Sequence, residues 1–328
     1  MTVFCVYYRA VPTFAPNKTS HVMRLQTTPH ILMVRPANFA FNAETAENNA
    51  FQSRDGAMSA DEMRQRALAE FDGFVALLRD AGVHVVVAAD TPSPARPDAV
   101  FPNNWVTFHQ EGLIVTYPMF APSRRIERRE DIIEQVKETG FQVMRRVHLE
   151  ESEQKGVYLE GTGSIIFDHQ NRLAYACLSP RTSADLLEHL CKELDYRKIV
   201  FHSVDAGGQE IYHTNVMMAL GETFVVICLD SVRDPQERAM LEELFRSTGK
   251  EIVDITLDQM NRFAGNMLQV QNTAGERILV MSETAHQSLK PEQIERLQSH
   301  TKLLSVPIDT IERYGGGSAR CMMAEIMM

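Results

Sequence analysis

Apolar and polar positions recur along this chain in a unit of constant form. Each unit opens on a polar or glycine-bearing turn and runs into a short apolar strand. A second apolar strand, an amphipathic helix and a closing strand follow. The turns are Phe101-Pro-Asn-Asn-Trp-Val-Thr-Phe108, Leu159-Glu-Gly-Thr-Gly-Ser-Ile-Ile-Phe167, Tyr212-His-Thr-Asn-Val-Met-Met218, Phe263-Ala-Gly-Asn-Met-Leu268 and Ser318-Ala-Arg-Cys-Met-Met323. With Asn104, Gly163, Asn215, Asn266 and Cys321 as equivalent positions, successive spacings are 59, 52, 51 and 55 residues. A period of this size is the signature of a propeller or a solenoid. Second strands are expected at Leu113–Thr116, Leu173–Cys177, Phe224–Cys228 and Ile278–Met281. The helices expected after them are Ile126–Thr139, Ala184–Leu194, Asp234–Ser247 and Pro291–Gln298. Phe141–Met144, Lys198–Phe201, Glu251–Asp254 and Leu303–Val306 are the expected closing strands.

A fifth unit is complete only if the ends join. The apolar run Met322–Met328 reads as a buried strand with Cys321 at its edge. It would pair with Ile31–Arg35, followed by a helix over Ala60–Ala81 and a strand over Val83–Ala88. Such pairing removes an exposed sheet edge and gives a ring with a central channel. The expected fold is therefore α/β: a pseudo-symmetric propeller of five units closed by its N- and C-terminal strands. A two-domain sandwich competes, but no Pro/Gly/Ser-rich linker divides the chain. Residues 28–328 are expected to form one catalytic domain. Residues 1–27 lack periodicity and read as a flexible extension, with Met23 as an alternative start.

Composition narrows the function. The net charge of -10 over 328 residues argues against nucleic-acid binding, which needs a basic face. The five cysteines (Cys5, Cys177, Cys191, Cys228 and Cys321) are widely spaced and include no C-x-x-C pair. That fits free thiols in a reducing cytoplasm, not a disulfide framework or a zinc site. No apolar run is long enough to span a bilayer, and the N-terminus shows no signal-peptide pattern. The expected partner is a small molecule, with homo-oligomerisation left open.

Three glycines, Gly315–Gly317, precede Cys321 and free the backbone to approach a ligand. The polar residues of the other turns (Asn103, Asn104, Glu160, His213, Asn215 and Asn266) would face the same channel. A cysteine, a histidine and a glutamate converging there suit covalent catalysis on a C–N bond. The thiolate attacks carbon, the imidazole protonates the departing amine and then activates water, and the carboxylate orients the imidazole. No His/Asp/Glu spacing suggests a metal site, and no cofactor is expected.

Read in order, Phe-Pro-Asn-Asn-Trp, Leu-Glu-Gly-Thr-Gly-Ser, His213-Thr-Asn215 and Gly-Gly-Gly-Ser-Ala-Arg-Cys321 resemble the guanidine-modifying (pentein) superfamily of arginine deiminases, dimethylarginine dimethylaminohydrolases and amidinotransferases. The resemblance runs from about residue 30 to the end and implies the five-unit propeller. It also implies Cys321, His213 and Glu160 as the catalytic set. Leu178-Ser-Pro-Arg-Thr182 looks like the superfamily's Arg-Thr element, which implies that Arg181 pairs with a substrate α-carboxylate. Pro122-Ser-Arg-Arg-Ile-Glu127 looks like a second carboxylate-binding element, with Arg124 or Arg125 as its candidate. A guanidinium fork gives a carboxylate two parallel hydrogen bonds.

Guanidinium-binding members carry acids where this chain has Asn103, Asn104 and Asn215. An asparagine offers a neutral acceptor and a neutral donor, the complement of an uncharged ureido group. The chain resembles most the citrulline-utilisation hydrolases, which share the Asn-Asn-Trp and Glu-Gly-Thr-Gly signatures and the Arg35-Pro-Ala-Asn-Phe39 start. Asn38 and Asn266 join the expected substrate-binding set. The expected reaction is hydrolysis of L-citrulline to ornithine, ammonia and carbon dioxide. The alternatives are a guanidino hydrolase, deiminase or amidinotransferase on arginine-like substrates, and a non-enzymatic propeller-type binding module.

Overall fold

The computed structural model describes residues 24–47, 49, 51–53 and 58–328. The chain is of mixed α/β class, and its described strands form five small sheets of one plan. The first is built on β1 (His30–Arg35) and β2 (His84–Ala89). β3 (Val106–His109), β4 (Leu113–Thr116) and β5 (Arg145–His148) make the second. The third holds β6 (Ile166–Asp168), β7 (Leu173–Cys177) and β8 (Arg197–Phe201). β9 (Met218–Leu220), β10 (Phe224–Ile227) and β11 (Glu251–Asp254) form the fourth. β12 (Leu268–Gln271), β13 (Arg277–Ser282) and β14 (Lys302–Val306) form the fifth. The last strand, β15 (Ala324–Glu325), pairs antiparallel with β1, so the two ends of the described chain share a sheet.

In every sheet the first strand runs antiparallel to the middle one, and the middle one parallel to the third. A parallel pair needs a crossover. Helices supply it: Ala60–Asp80 between β1 and β2, Ala184–Leu194 between β7 and β8, and Pro235–Ser247 between β10 and β11. The helix at Ala184–Leu194 shows why these segments are helical. Ser183 caps its start by accepting from the Leu186 N–H, and Leu187, Leu190, Cys191 and Leu194 form its buried stripe. The middle strands β4, β7 and β10 are buried at every position, which accounts for their continuous apolar runs.

Four expectations change. The helix expected over Ile126–Thr139 begins only at Glu130 and runs to Glu138; a separate helical turn, Pro122–Arg125, precedes it. Arg129 between them is extended at φ -114°, ψ 123°, with its guanidinium on Asp90 and the Ala89 carbonyl. The closing strand expected at Phe141–Met144 lies at Arg145–His148, because Phe141 is buried in the core and register with β4 begins only after it. The expected strand Met322–Met328 shrinks to Ala324–Glu325. The chain there passes from one sheet to the next: the Ile326 N–H donates to the His30 carbonyl and the Met327 N–H to that of Phe108. Of the expected extension, residues 1–23, including the alternative start Met23, lie outside the described residues. Gln26 and Thr27 are buried, and Gln26 donates to the Phe167 carbonyl and accepts from the His169 N–H, so residues 24–27 are not a loose tail. Among the described residues, no helix is long and apolar enough to cross a membrane.

The five turns that lead into the first strands are buried and meet one another. Pro102–Asn104, Gly161–Ser164 and Thr214–Met217 are single helical turns, and Ala319–Met322 is another. Asn266 ties the remaining turn to its neighbours, donating to the Asn215 carbonyl and accepting from the Arg320 N–H.

Candidate active site

Cys321 is presented by a loop fixed at both ends. Glu70 accepts the first N–H groups of the helix Asp309–Gly315, from Thr310 at 2.8 Å and Ile311 at 3.0 Å. The helix ends on Gly316, in the left-handed region at φ +66°, and the Ser318 hydroxyl donates back to Glu312. Cys321 follows in the turn Ala319–Met322, not at a strand edge, and is 5% exposed. Two amides converge on its sulfur: Asn215 Nδ2 and Asn266 Nδ2 each lie 3.3 Å from Sγ.

His213 and Glu160 stand on the neighbouring turns. Glu160 Oε2 lies 2.7 Å from His213 Nε2, while Oε1 accepts the Phe120 N–H at 2.8 Å. Burial alone would raise the Glu160 pKa. The Arg181 guanidinium, with Nη1 3.6 Å away, and the His213 hydrogen bond prevail and hold it below the usual carboxylate range. Burial pushes the His213 pKa down, against the pull of Glu160. An ionised Glu160 can only accept, so the proton of the neutral ring sits on Nε2 and Nδ1 is left basic. Nδ1 faces Gly163. A Cβ on that glycine would come 2.7 Å from His213 Nδ1 and 2.3 Å from Asn104 Nδ2.

Cys321, His213, Asn104, Arg124 and Arg181 line one cavity, joined by Thr45, Asp98, Tyr212 and the backbone of Gly315–Gly317. Arg181 donates to the Thr45 carbonyl at 2.9 Å and lies over the Tyr212 ring, 4.9 Å from its centroid. The structure separates Arg124 from Arg125. Arg124 is buried on the cavity. Arg125 donates to the Met119 carbonyl at 3.1 Å and lies 3.5 Å from Glu153, away from the lining. Arg124 is not an open fork for a carboxylate, because Glu127 occupies its Nε and Nη2.

Two expected ligand residues fall elsewhere. Asn38 donates to the carbonyls of Thr91 and Pro92 near the surface, outside the cavity lining. Asn103 is fully buried beside Asn104 but does not line the cavity, and neither of its side-chain polar atoms has a protein partner. Asp98 is the residue the sequence reading missed. It is 2% exposed, holds Asn42 and Thr45 through Oδ2, and leaves Oδ1 without a protein partner. Burial pushes its carboxyl above the usual range, against the pull of Arg124. Its position three residues before Phe101-Pro-Asn-Asn-Trp was the available signal. Among the described residues, no group of three His, Cys, Asp or Glu side chains could hold a metal ion.

A thiol, an imidazole and a carboxylate thus stand on adjoining turns of five like sheets. Residues 35–328 match the profile of the family described as N,N dimethylarginine dimethylhydrolase, eukaryotic, and the chain belongs to that family. Its fold is similar to that of the N-terminal domain of ArgZ, an arginine dihydrolase of the ornithine–ammonia cycle in cyanobacteria. The TM-score is 0.69 at 18% identity, covering 90% of this chain and 97% of that one. AgrE, solved with ornithine and NAD+, gives a TM-score of 0.67 at 18% identity; 90% of this chain spans 39% of that one. A dimethylarginine dimethylaminohydrolase adduct with S-methyl-L-thiocitrulline gives 0.61 at 16% identity, covering 91% and 99%. At these identities the likeness shows the fold alone. No curated protein matches the chain.

Proposed function

We propose that the chain is a cysteine-dependent hydrolase of the ureido group of L-citrulline, with its five units set as a closed propeller around the site. The family is one of hydrolases on non-peptide C–N bonds, which supports the reaction type. The observation that carries the substrate is the neutral shell at the thiol: Asn215 and Asn266 touch Sγ, and Asn104 faces His213. An unpaired guanidinium would be costly to bury against amides alone, whereas a ureido group needs only donors and acceptors. Arg181 and Asp98 offer the cavity opposite charges, the complement of an amino acid's carboxylate and ammonium.

In this mechanism the Cys321 thiolate attacks the ureido carbon, and the amides stabilise the oxyanion. His213 Nδ1, which takes the Cys321 thiol proton as that thiolate forms, delivers it to the departing δ-nitrogen, ornithine leaves, and an S-carbamoyl enzyme remains. Water deprotonated by His213 attacks that carbonyl and frees the thiolate. The carbamate released decomposes to ammonia and carbon dioxide. Glu160 keeps the imidazole in the productive tautomer.

Guanidino-group hydrolysis is the second reading, favoured by the family relation and by Asp98, a carboxylate with a free oxygen on the cavity. Purified protein assayed with citrulline and with arginine separates the two. Ornithine and ammonia are expected from citrulline, with loss of turnover but retained fold in Cys321→Ser. Citrulline accumulating from arginine would make the chain a deiminase.

A further inference from the structure

Arg124 occupies one side of Asn104, and the chemistry of that contact decides what Asn104 can offer a ligand. Arg124 Nη1 donates to Asn104 Oδ1 at 2.8 Å. A guanidinium has no acceptor, so the amide can show Arg124 only its oxygen; a flip would set N–H against N–H. Arg124 is itself held in place. Its Nε donates to Glu127 at 3.0 and 3.2 Å, and its Nη2 donates to Glu127 at 2.8 Å and to the Phe101 carbonyl at 3.1 Å. Arg124, Glu127 and Asn104 are all buried. Asn104 Nδ2 therefore points away from Arg124. It has no partner within the protein and lies at Gly163 beside His213 Nδ1.

We propose that Arg124 is a specificity-positioning residue: it pins the Asn104 oxygen and thereby presents the Asn104 N–H donor to the reacting group. A donor at that place suits the carbonyl oxygen of a ureido group and opposes the N–H of a guanidinium. The asparagine alone is ambivalent, since its amide could offer either face. The inference rests on the ureido reading and deepens it. It also replaces the expected role of Arg124 as a ligand for the substrate carboxylate.

Calorimetric titration of Cys321→Ser protein with L-citrulline and with L-arginine gives the ratio of the two affinities. A ratio cancels damage that weakens both ligands alike. Arg124→Gln paired with Glu127→Gln removes both buried charges together and frees the amide to rotate. The preference for citrulline should fall by about tenfold or more, the order expected when a fixed hydrogen-bond match is lost. Asn104→Asp keeps an oxygen toward Arg124 and turns the other atom into an acceptor, so the preference should reverse. Should the parent protein show no preference for citrulline, the ureido reading fails and the inference falls with it. Should the parent prefer citrulline and the folded paired variant prefer it equally, the ureido reading stands and the role of Arg124 is overturned. If the paired variant does not fold, Arg124→Lys retains a charge for Glu127 but lacks the fork, and the same two outcomes decide.

Discussion

At Gly163 the missing side chain is what lets Asn104 and His213 approach one another. A Cβ there would stand 2.3 Å from Asn104 Nδ2 and 2.7 Å from His213 Nδ1, distances no real contact tolerates. Gly163→Ala must push one of them away, and displacement of about 1 Å at a reacting centre can cost about 100-fold in rate. A loss of that order in kcat is expected, measured by steady-state ornithine release; an unchanged kcat would show that the two groups need not be so close. That Cys321, His213 and Glu160 stand on neighbouring turns was legible because each falls in or beside one of the repeated turns. Asp98 was not, because an acid before a Phe-Pro turn reads as ordinary loop polarity until the fold sets it on the cavity. Adjacent residues such as Arg124 and Arg125 differ only in which way each points, and packing alone decides that.

Among the elements, the helix Asp309–Gly315 with its glycine loop is the one that leads into Cys321. Gly316 lies at φ +66°, and a Cβ on it would meet Gln52 Cγ at 2.5 Å and Asn49 Nδ2 at 2.6 Å. Its carbonyl accepts from Asn49 and from the Tyr212 hydroxyl at 2.9 Å, so the loop is clamped from two sides. Gly316→Ala combines a left-handed backbone with a clash. It should destabilise the protein by about 1–2 kcal/mol from the backbone alone, read as a lower urea midpoint, and kcat should fall as Cys321 shifts. A variant with unaltered midpoint would mean the loop relaxes without strain. Strands such as β7 and β10 were legible because burial on both faces leaves a continuous apolar run. The break between Pro122–Arg125 and Glu130–Glu138 was not, because Arg129 is drawn out of helical geometry by Asp90, a partner far away in sequence.

Taken as a whole, the molecule buries His109, His169 and His213. Burial lowers the pKa of each; for His169, burial and the nearby charges of Arg24 and Arg320 bring it to about 3. The unfolded chain protonates such a histidine near its ordinary 6.5, while the folded one stays neutral. Stability is therefore lost as pH falls below 6.5, by about 1.4 kcal/mol per pH unit for each histidine over its window. For His169 that window runs down to about 3. Denaturation at pH values spanning this range should show a shallower acid dependence in His169→Gln, by about one proton. An unchanged slope would mean His169 is charged in the folded state. The sequence by itself determined the repeat, the middle strands and the identity of the thiol, imidazole and carboxylate. Those depend on local periodicity and on residue type, which a chain carries without folding. Only the tertiary structure decided which polar groups face one another across the five turns: Asp98 on the cavity, Asn38 off it, and Arg124 against Asn104. Donor and acceptor directions arise between residues distant in sequence, where no local pattern records them.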